Sequence, residues 1–159
     1  MPRIYLDVCC FNRLFDDQSQ ARIRIETEAV LGILERCEVG EWELIGSEMI
    51  ETEVSQIADQ ERRQRIESAL EMARSRIIVD DRIENRGNEL QSLGFQGFDA
   101  IHVACAEMAQ ADVFLSTDDR LLRRAVRYRE RLTVTVNNPA IWFIAMVQAG
   151  GAEDDPNGT

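Results

Sequence analysis

Asp118 and Asp119 stand side by side in STDDRLL (116–122), directly after the apolar run VFL. Adjacent carboxylates repel and are poor strand formers, so the pair marks either a turn with a helix cap or a cation site. Asp7 closes the short apolar segment RIYLD (3–7), and Asp99 opens DAIHVACA, whose other positions are nearly all apolar. Each acid has an ordinary structural account: a strand-end turn for Asp7, and a cap or first-turn acid favoured by the helix dipole for Asp99, Asp118 and Asp119. Several of them in one short chain suggest something further. Carboxylates converging on a hard divalent ion, Mg²⁺ or Mn²⁺, are what metal-dependent phosphodiester hydrolysis uses.

The remaining chemistry-bearing residues narrow the field. His102 is the single histidine and follows Asp99 by three, so the two share a helix face. Packing is the expected role for it, with a hydrogen bond to a carboxylate as the intermediate reading. Cys9, Cys10, Cys37 and Cys105 show no C-x-x-C spacing, which argues against a structural zinc site; Cys9 and Cys10 read as small buried hydrophobes. The chain contains no lysine. That excludes a Walker A lysine, a Schiff base, and a catalytic lysine beside a phosphorylated aspartate.

A net charge of −11 repels nucleic acid if it is spread evenly. It is not spread evenly. In the segment 119–131, Arg120, Arg123, Arg124, Arg127 and Arg131 fall on one helical stripe, while Leu121, Leu122, Ala125, Val126 and Leu132 fall on the other. The stripe is either a solvated face that pairs with the many acids or a strip that contacts RNA phosphates beside the acidic rim. Arg62, Arg63 and Arg65 form a smaller cluster with the same two readings.

These residues need a frame to bring them together. With 159 residues and 45% hydrophobic content, the chain is long enough for one domain with a real core. No apolar run approaches the roughly 20 residues that cross a bilayer, and the N-terminus has no signal-peptide core, so no membrane contact and a cytoplasmic setting are expected. Strands are expected at 3–7, 42–46, 76–81, 113–116 and 132–136. Helices are expected over 21–37, after Ser47, around Ile66–Ala73, weakly over 82–94 with a break at Gly87, over 99–109, near 119–130, and over the final AIWFIAMVQA. Short strands alternating with helices indicate an α/β sandwich around a mostly parallel, about five-stranded sheet, spanning 1–149, with 150–159 a flexible acidic tail. In such sheets ligands gather at the carboxyl ends of the strands. The residues there are Asp7, Ser47 and Glu48, Asp80 and Asp81, and Asp118 and Asp119: a rim of acids.

From YLDVCCFN through FDAIHVACA to VFLSTDDRLL the sequence resembles the PIN domain, the fold of many small prokaryotic ribonucleases, including VapC-type toxins. The resemblance implies a three-layer α/β/α fold and a Mg²⁺- or Mn²⁺-dependent endoribonuclease acting on RNA. It also implies the toxin of a toxin–antitoxin pair, with an antitoxin protein as partner and a homodimer as the assembly. Asp7 takes the place of the family aspartate closing the first strand, and Asp99 that of the D-A-x-H-x-A-type helix. Asp118 takes the place of the T-x-D-type turn, with Asp119 as the fallback. The family glutamate falls in SEMIETEV, where spacing favours Glu53, with Glu48 and Glu51 as alternatives. Where many members read D-T-N after the first strand this chain has Cys9, and Asn12 is the substitute the resemblance offers. The same likeness admits a second function, a catalytically degenerate module that binds RNA or a protein partner.

Overall fold

A computed structural model describes residues 1–153. Five parallel strands form one sheet in the order β3-β2-β1-β4-β5: β1 (Arg3–Leu6), β2 (Glu43–Ser47), β3 (Ser75–Ile77), β4 (Val113–Leu115) and β5 (Thr135–Asn137). Eight helices flank it: α1 (Val8–Asn12), α2 (Ala21–Glu38), α3 (Glu48–Ser55), α4 (Gln60–Leu70), α5 (Asp81–Ser92), α6 (Gly97–Met108), α7 (Asp119–Arg127) and α8 (Pro139–Glu153). The α/β sandwich expected from the alternation of elements is therefore present, with an all-parallel sheet. β1 and β4 lie centrally and their residues Ile4, Tyr5, Leu6, Val113, Phe114 and Leu115 are fully buried. Such apolar runs suit strands covered on both faces.

The strand order reverses between β1 and β4. The chain steps outward from β1 through β2 to β3, then returns to the other side of β1 for β4 and β5. At such a reversal, the loops leaving the carboxyl ends diverge and open a crevice. Asp7 and Ser116 are the first residues past those two ends.

Several boundaries differ from the sequence expectation, each for a local reason. β3 is only Ser75–Ile77 because Glu48 Oε1 takes the Val79 N–H at 3.0 Å and Asp80 caps α5 through the Ile83 N–H at 3.0 Å. β5 starts late because Thr133 N–H is already bonded to Glu107 Oε2 at 2.8 Å. α5 runs unbroken through Gly87, where a Cβ would sit 2.6 Å from Ile101 Cδ1, so the glycine lets α5 and α6 close together. α1 was not expected: its five residues are too few to show a period, and Asp7 starts it by accepting the Val8 N–H. α7 stops at Arg127, which leaves Arg131 in a 3-10 turn beyond the stripe. α8 continues past Gly150 to Glu153, into the stretch read as tail; residues 154–159 lie outside the described residues.

Glu26 ties the outer helices to this frame. Its buried carboxylate accepts from Arg13 Nε (2.8 Å), Arg22 Nε (3.2 Å) and Asn138 Nδ2 (2.7 Å), linking α2 to the turn after α1 and to the start of α8. No helix among the described residues is long and apolar enough to cross a membrane.

Candidate metal centre

Asp7 is held at the reversal point by every polar atom it has. Its N–H donates to Leu115 O (2.9 Å), Oδ1 accepts the Val8 N–H (2.9 Å), and Oδ2 accepts from Ser116 Oγ (2.7 Å). The Cys9 thiol approaches the same Oδ2 at 3.4 Å and accepts the Thr117 N–H at 3.3 Å. Cys9 is thus part of the site's scaffold and not simply a buried hydrophobe. Cys10 fits that description better: it is fully buried with its thiol on Leu115 O. All four cysteines are free.

Ser116 bridges two acids, because its oxygen also accepts the Asp118 N–H at 3.1 Å. Asp118 caps α7, its Oδ1 taking the Arg120 N–H at 2.9 Å, which leaves Oδ2 uncommitted among the described residues. Asp119 turns away: Arg22 grips both its oxygens at 2.8 Å, and it is exposed. That ion pair holds its carboxyl below the usual range. The two adjacent aspartates therefore part company, one toward the rim and one toward α2.

The glutamates separate as clearly. Glu48 is engaged by Val79 N–H, and Glu51 is locked in a two-point ion pair with Arg76 at 2.6 and 2.8 Å. Glu53, one turn on, points back to the site, where its Oε1 lies 3.6 Å from His102 Nε2. One ligand atom from each of Asp7, Glu53 and His102 lies within 4.8 Å of the other two.

Burial is the largest influence on the electrostatics here. Burial pushes the Asp99 carboxyl up to about 6, helped by the negative charges of Asp7, Asp118 and Glu53 and opposed by His102. Burial also raises Asp7, against the lowering effects of His102, the Ser116 hydrogen bond and the Cys9 thiol, with Glu53 raising it further. A half-buried cluster of acids of this kind could hold a countercharge. The donor set could hold a divalent ion: two carboxylates supply oxygens, and a buried imidazole nitrogen beside them has no hydrogen-bond partner among the described residues.

A groove of about 490 Å³ opens from Asp99 between the loop Gly94–Gln96 and α7. Arg120, Arg123, Arg124 and Arg127 all line it. Among the described residues none of these four forms an ion pair, although ten other arginines do. Gly94 has φ +102°, and its missing side chain leaves room for the Arg124 guanidinium, which donates to Leu93 O at 3.2 Å. By contrast Arg62, Arg63 and Arg65 sit against Asp16, Glu67 and Glu61. Asn12 ends α1 with Oδ1 buried and without a partner among the described residues. Sequence reasoning missed Ser116 and the scaffold role of Cys9. The S-T-D turn was the signal available for Ser116.

The fold is PIN-like. It resembles a chain in the crystal structure of VapBC2 from Rickettsia felis bound to a DNA fragment from their promoter, with a TM-score of 0.54 and 13% sequence identity over 86% of this chain and 98% of that one. No protein-family model and no curated protein matches the sequence.

Proposed function

We propose that the protein is a divalent-metal-dependent endoribonuclease of PIN type, hydrolysing RNA phosphodiester bonds at Asp7, Glu53, Asp99 and Asp118. The observation that carries this reading is the meeting of Asp7, Glu53 and His102 at the sheet's reversal point, with Asp99 close enough to feel the charges of Asp7 and Glu53 and an unneutralised arginine groove leading out from it. Asp7 and Glu53 would hold Mg²⁺ or Mn²⁺, with Asp99 and Asp118 at the rim. When bound, such an ion lowers the pKa of a coordinated water and stabilises charge on a phosphoryl oxygen.

The chain's own residues divide the remaining work. Ser116 and the Val8 N–H fix both oxygens of Asp7, so this carboxylate does not have to be reorganised for the reaction. Asp99, partly buried where the arginine groove opens, is placed for proton transfer to or from a reacting oxygen. Arg120, Arg123, Arg124 and Arg127 present forked donors to successive phosphates, which positions the strand without reading its bases.

We extend the proposal to a toxin of a toxin–antitoxin pair, with an antitoxin protein as partner, on the likeness to a chain of VapBC2. Cys9 favours a second reading, the degenerate module that binds RNA without cutting it, because it stands where many PIN members carry a site asparagine. Cleavage of defined RNAs with Mn²⁺, with excess chelator, and with Asp7→Asn separates the two. Chelator-sensitive cleavage lost in the variant supports the nuclease. RNA binding with no cleavage by any divalent ion supports the module.

A further inference from the structure

Among the described residues, two buried side-chain atoms lack any hydrogen-bond partner: Asn12 Oδ1 and His102 Nε2. The second lies in the acidic cluster. The His102 ring is wholly enclosed, yet Nε2 comes only to 3.6 Å from Glu53 Oε1, too far for a normal hydrogen bond. Native interiors rarely leave such an atom unpaired.

The opposite ring nitrogen explains what Nε2 is for. Nδ1 lies 2.7 Å from Tyr5 Oη, Tyr5 Oη lies 2.7 Å from Ser47 Oγ, and Ser47 Oγ accepts the Ile50 N–H at 3.0 Å. Tyr5 has one proton to give. If it goes to Ser47, Nδ1 must carry the ring hydrogen and donate it to Tyr5, and Nε2 keeps a bare lone pair beside Asp7 and Glu53. If it goes to Nδ1 instead, Nε2 carries a hydrogen that faces Glu53 Oε1 at 3.6 Å, beyond normal hydrogen-bond length. The first arrangement leaves Nε2 free to bind a cation, which would give the atom the partner it lacks. It is also the arrangement in which metal-bound histidines are usually held, the distal N–H anchored by an oxygen.

We propose that His102 Nε2 is a direct ligand of the divalent ion, completing a centre with oxygens from Asp7 and Glu53, and that this nitrogen biases the centre toward Mn²⁺ over Mg²⁺. Mg²⁺ is bound almost entirely through oxygen, whereas imidazole suits first-row transition ions. Tyr5 and Ser47 then act as positioning residues that set the imidazole tautomer. The inference rests on the metal reading above and deepens it.

Because His102 is the only histidine, any imidazole signal from the full chain belongs to it. The experiment loads the protein with Mn²⁺ and records electron spin-echo envelope modulation with natural and ¹⁵N-labelled histidine. The expected result is a nitrogen coupling typical of bound imidazole that changes on labelling. In parallel, Mn²⁺ and Mg²⁺ affinities are compared in the wild type and in His102→Asn, whose amide nitrogen can keep the Tyr5 contact while the ligand is lost. The Mn²⁺ preference should fall by roughly tenfold or more, the scale on which contacts around a metal move its affinity. Mn²⁺ bound without imidazole coupling overturns His102 as a ligand and leaves the carboxylate centre standing. Failure of both ions to bind, read as a melting temperature unchanged by Mn²⁺ and by Mg²⁺, overturns both readings.

Discussion

Ser116 Oγ donates a 2.7 Å hydrogen bond to Asp7 Oδ2, joining the ends of β4 and β1 where the strand order reverses. Because the same oxygen accepts the Asp118 N–H, one hydroxyl sets the spacing of two rim acids. Ser116→Ala should therefore raise the Asp7 pKa further, since that hydrogen bond lowers it. It should cost about 1–3 kcal/mol of stability, the usual penalty for stripping a partner from a buried polar group. Divalent-ion affinity should drop with it. Urea denaturation and calorimetric titration with Mn²⁺ check the two effects, and unchanged affinity would confine Ser116 to a structural role.

Asp7→Asn should abolish cleavage and keep the fold. The amide oxygen can still accept the Val8 N–H, and the Ser116 hydroxyl can rotate to accept from the amide nitrogen. Removing a charge that burial and Glu53 disfavour should leave the metal-free melting temperature equal or higher. A collapse in melting temperature would show that Asp7 serves the fold first.

The raised Asp99 carboxyl makes stability depend on pH in a definite direction. Its pKa is about 6 in the folded chain against an ordinary 3.8, so between those values the folded state binds more protons than the unfolded. Stability from this group is then lost as pH rises from about 4 to about 6 and stays lost above. In chelator-treated protein, Asp99→Asn should be the more stable form above about pH 6, with the difference shrinking toward pH 4. Melting curves across that range read it directly. A difference independent of pH would refute the assignment.

Arg123 and Arg127 are exposed, line the groove, and form no ion pair among the described residues. Replacing both by glutamine should weaken RNA binding alike for all sequences. It should also flatten the salt dependence, by about 0.7 counterion per lost contact on a single strand. Stability should change by well under about 1 kcal/mol, as expected for exposed charges. Fluorescence anisotropy at several salt concentrations measures the slope. An unaltered slope would return the stripe to a solvated face.

Much of the frame was legible from local chemistry. The apolar runs of β1 and β4, the Ser47 cap of α3 and the helical period of α2 are set by residues close in sequence, so they can be read without knowing the fold. The arginine stripe was legible for the same reason, since helical spacing alone places Arg120, Arg123, Arg124 and Arg127 together. What a segment loses to a distant partner could not be read. β3 and β5 are short because side chains on other helices, Glu48 and Glu107, capture the backbone donors that would have extended or flanked them.

The site divides along the same line. The sequence by itself determined that acids would stand at the ends of β1 and β4 and at the head of α6, because strand ends and helix starts are where chain geometry puts them. It could not choose between Asp118 and Asp119, or among Glu48, Glu51 and Glu53. Only the tertiary structure decided where each points: Arg22, 97 positions from Asp119, draws that carboxylate out to α2, and Arg76 draws Glu51 away from the rim. Each outcome turns on a charge that reaches its partner only once the sheet and helices have packed. Neighbours in sequence supply the candidates, and ion pairs made across the fold select among them.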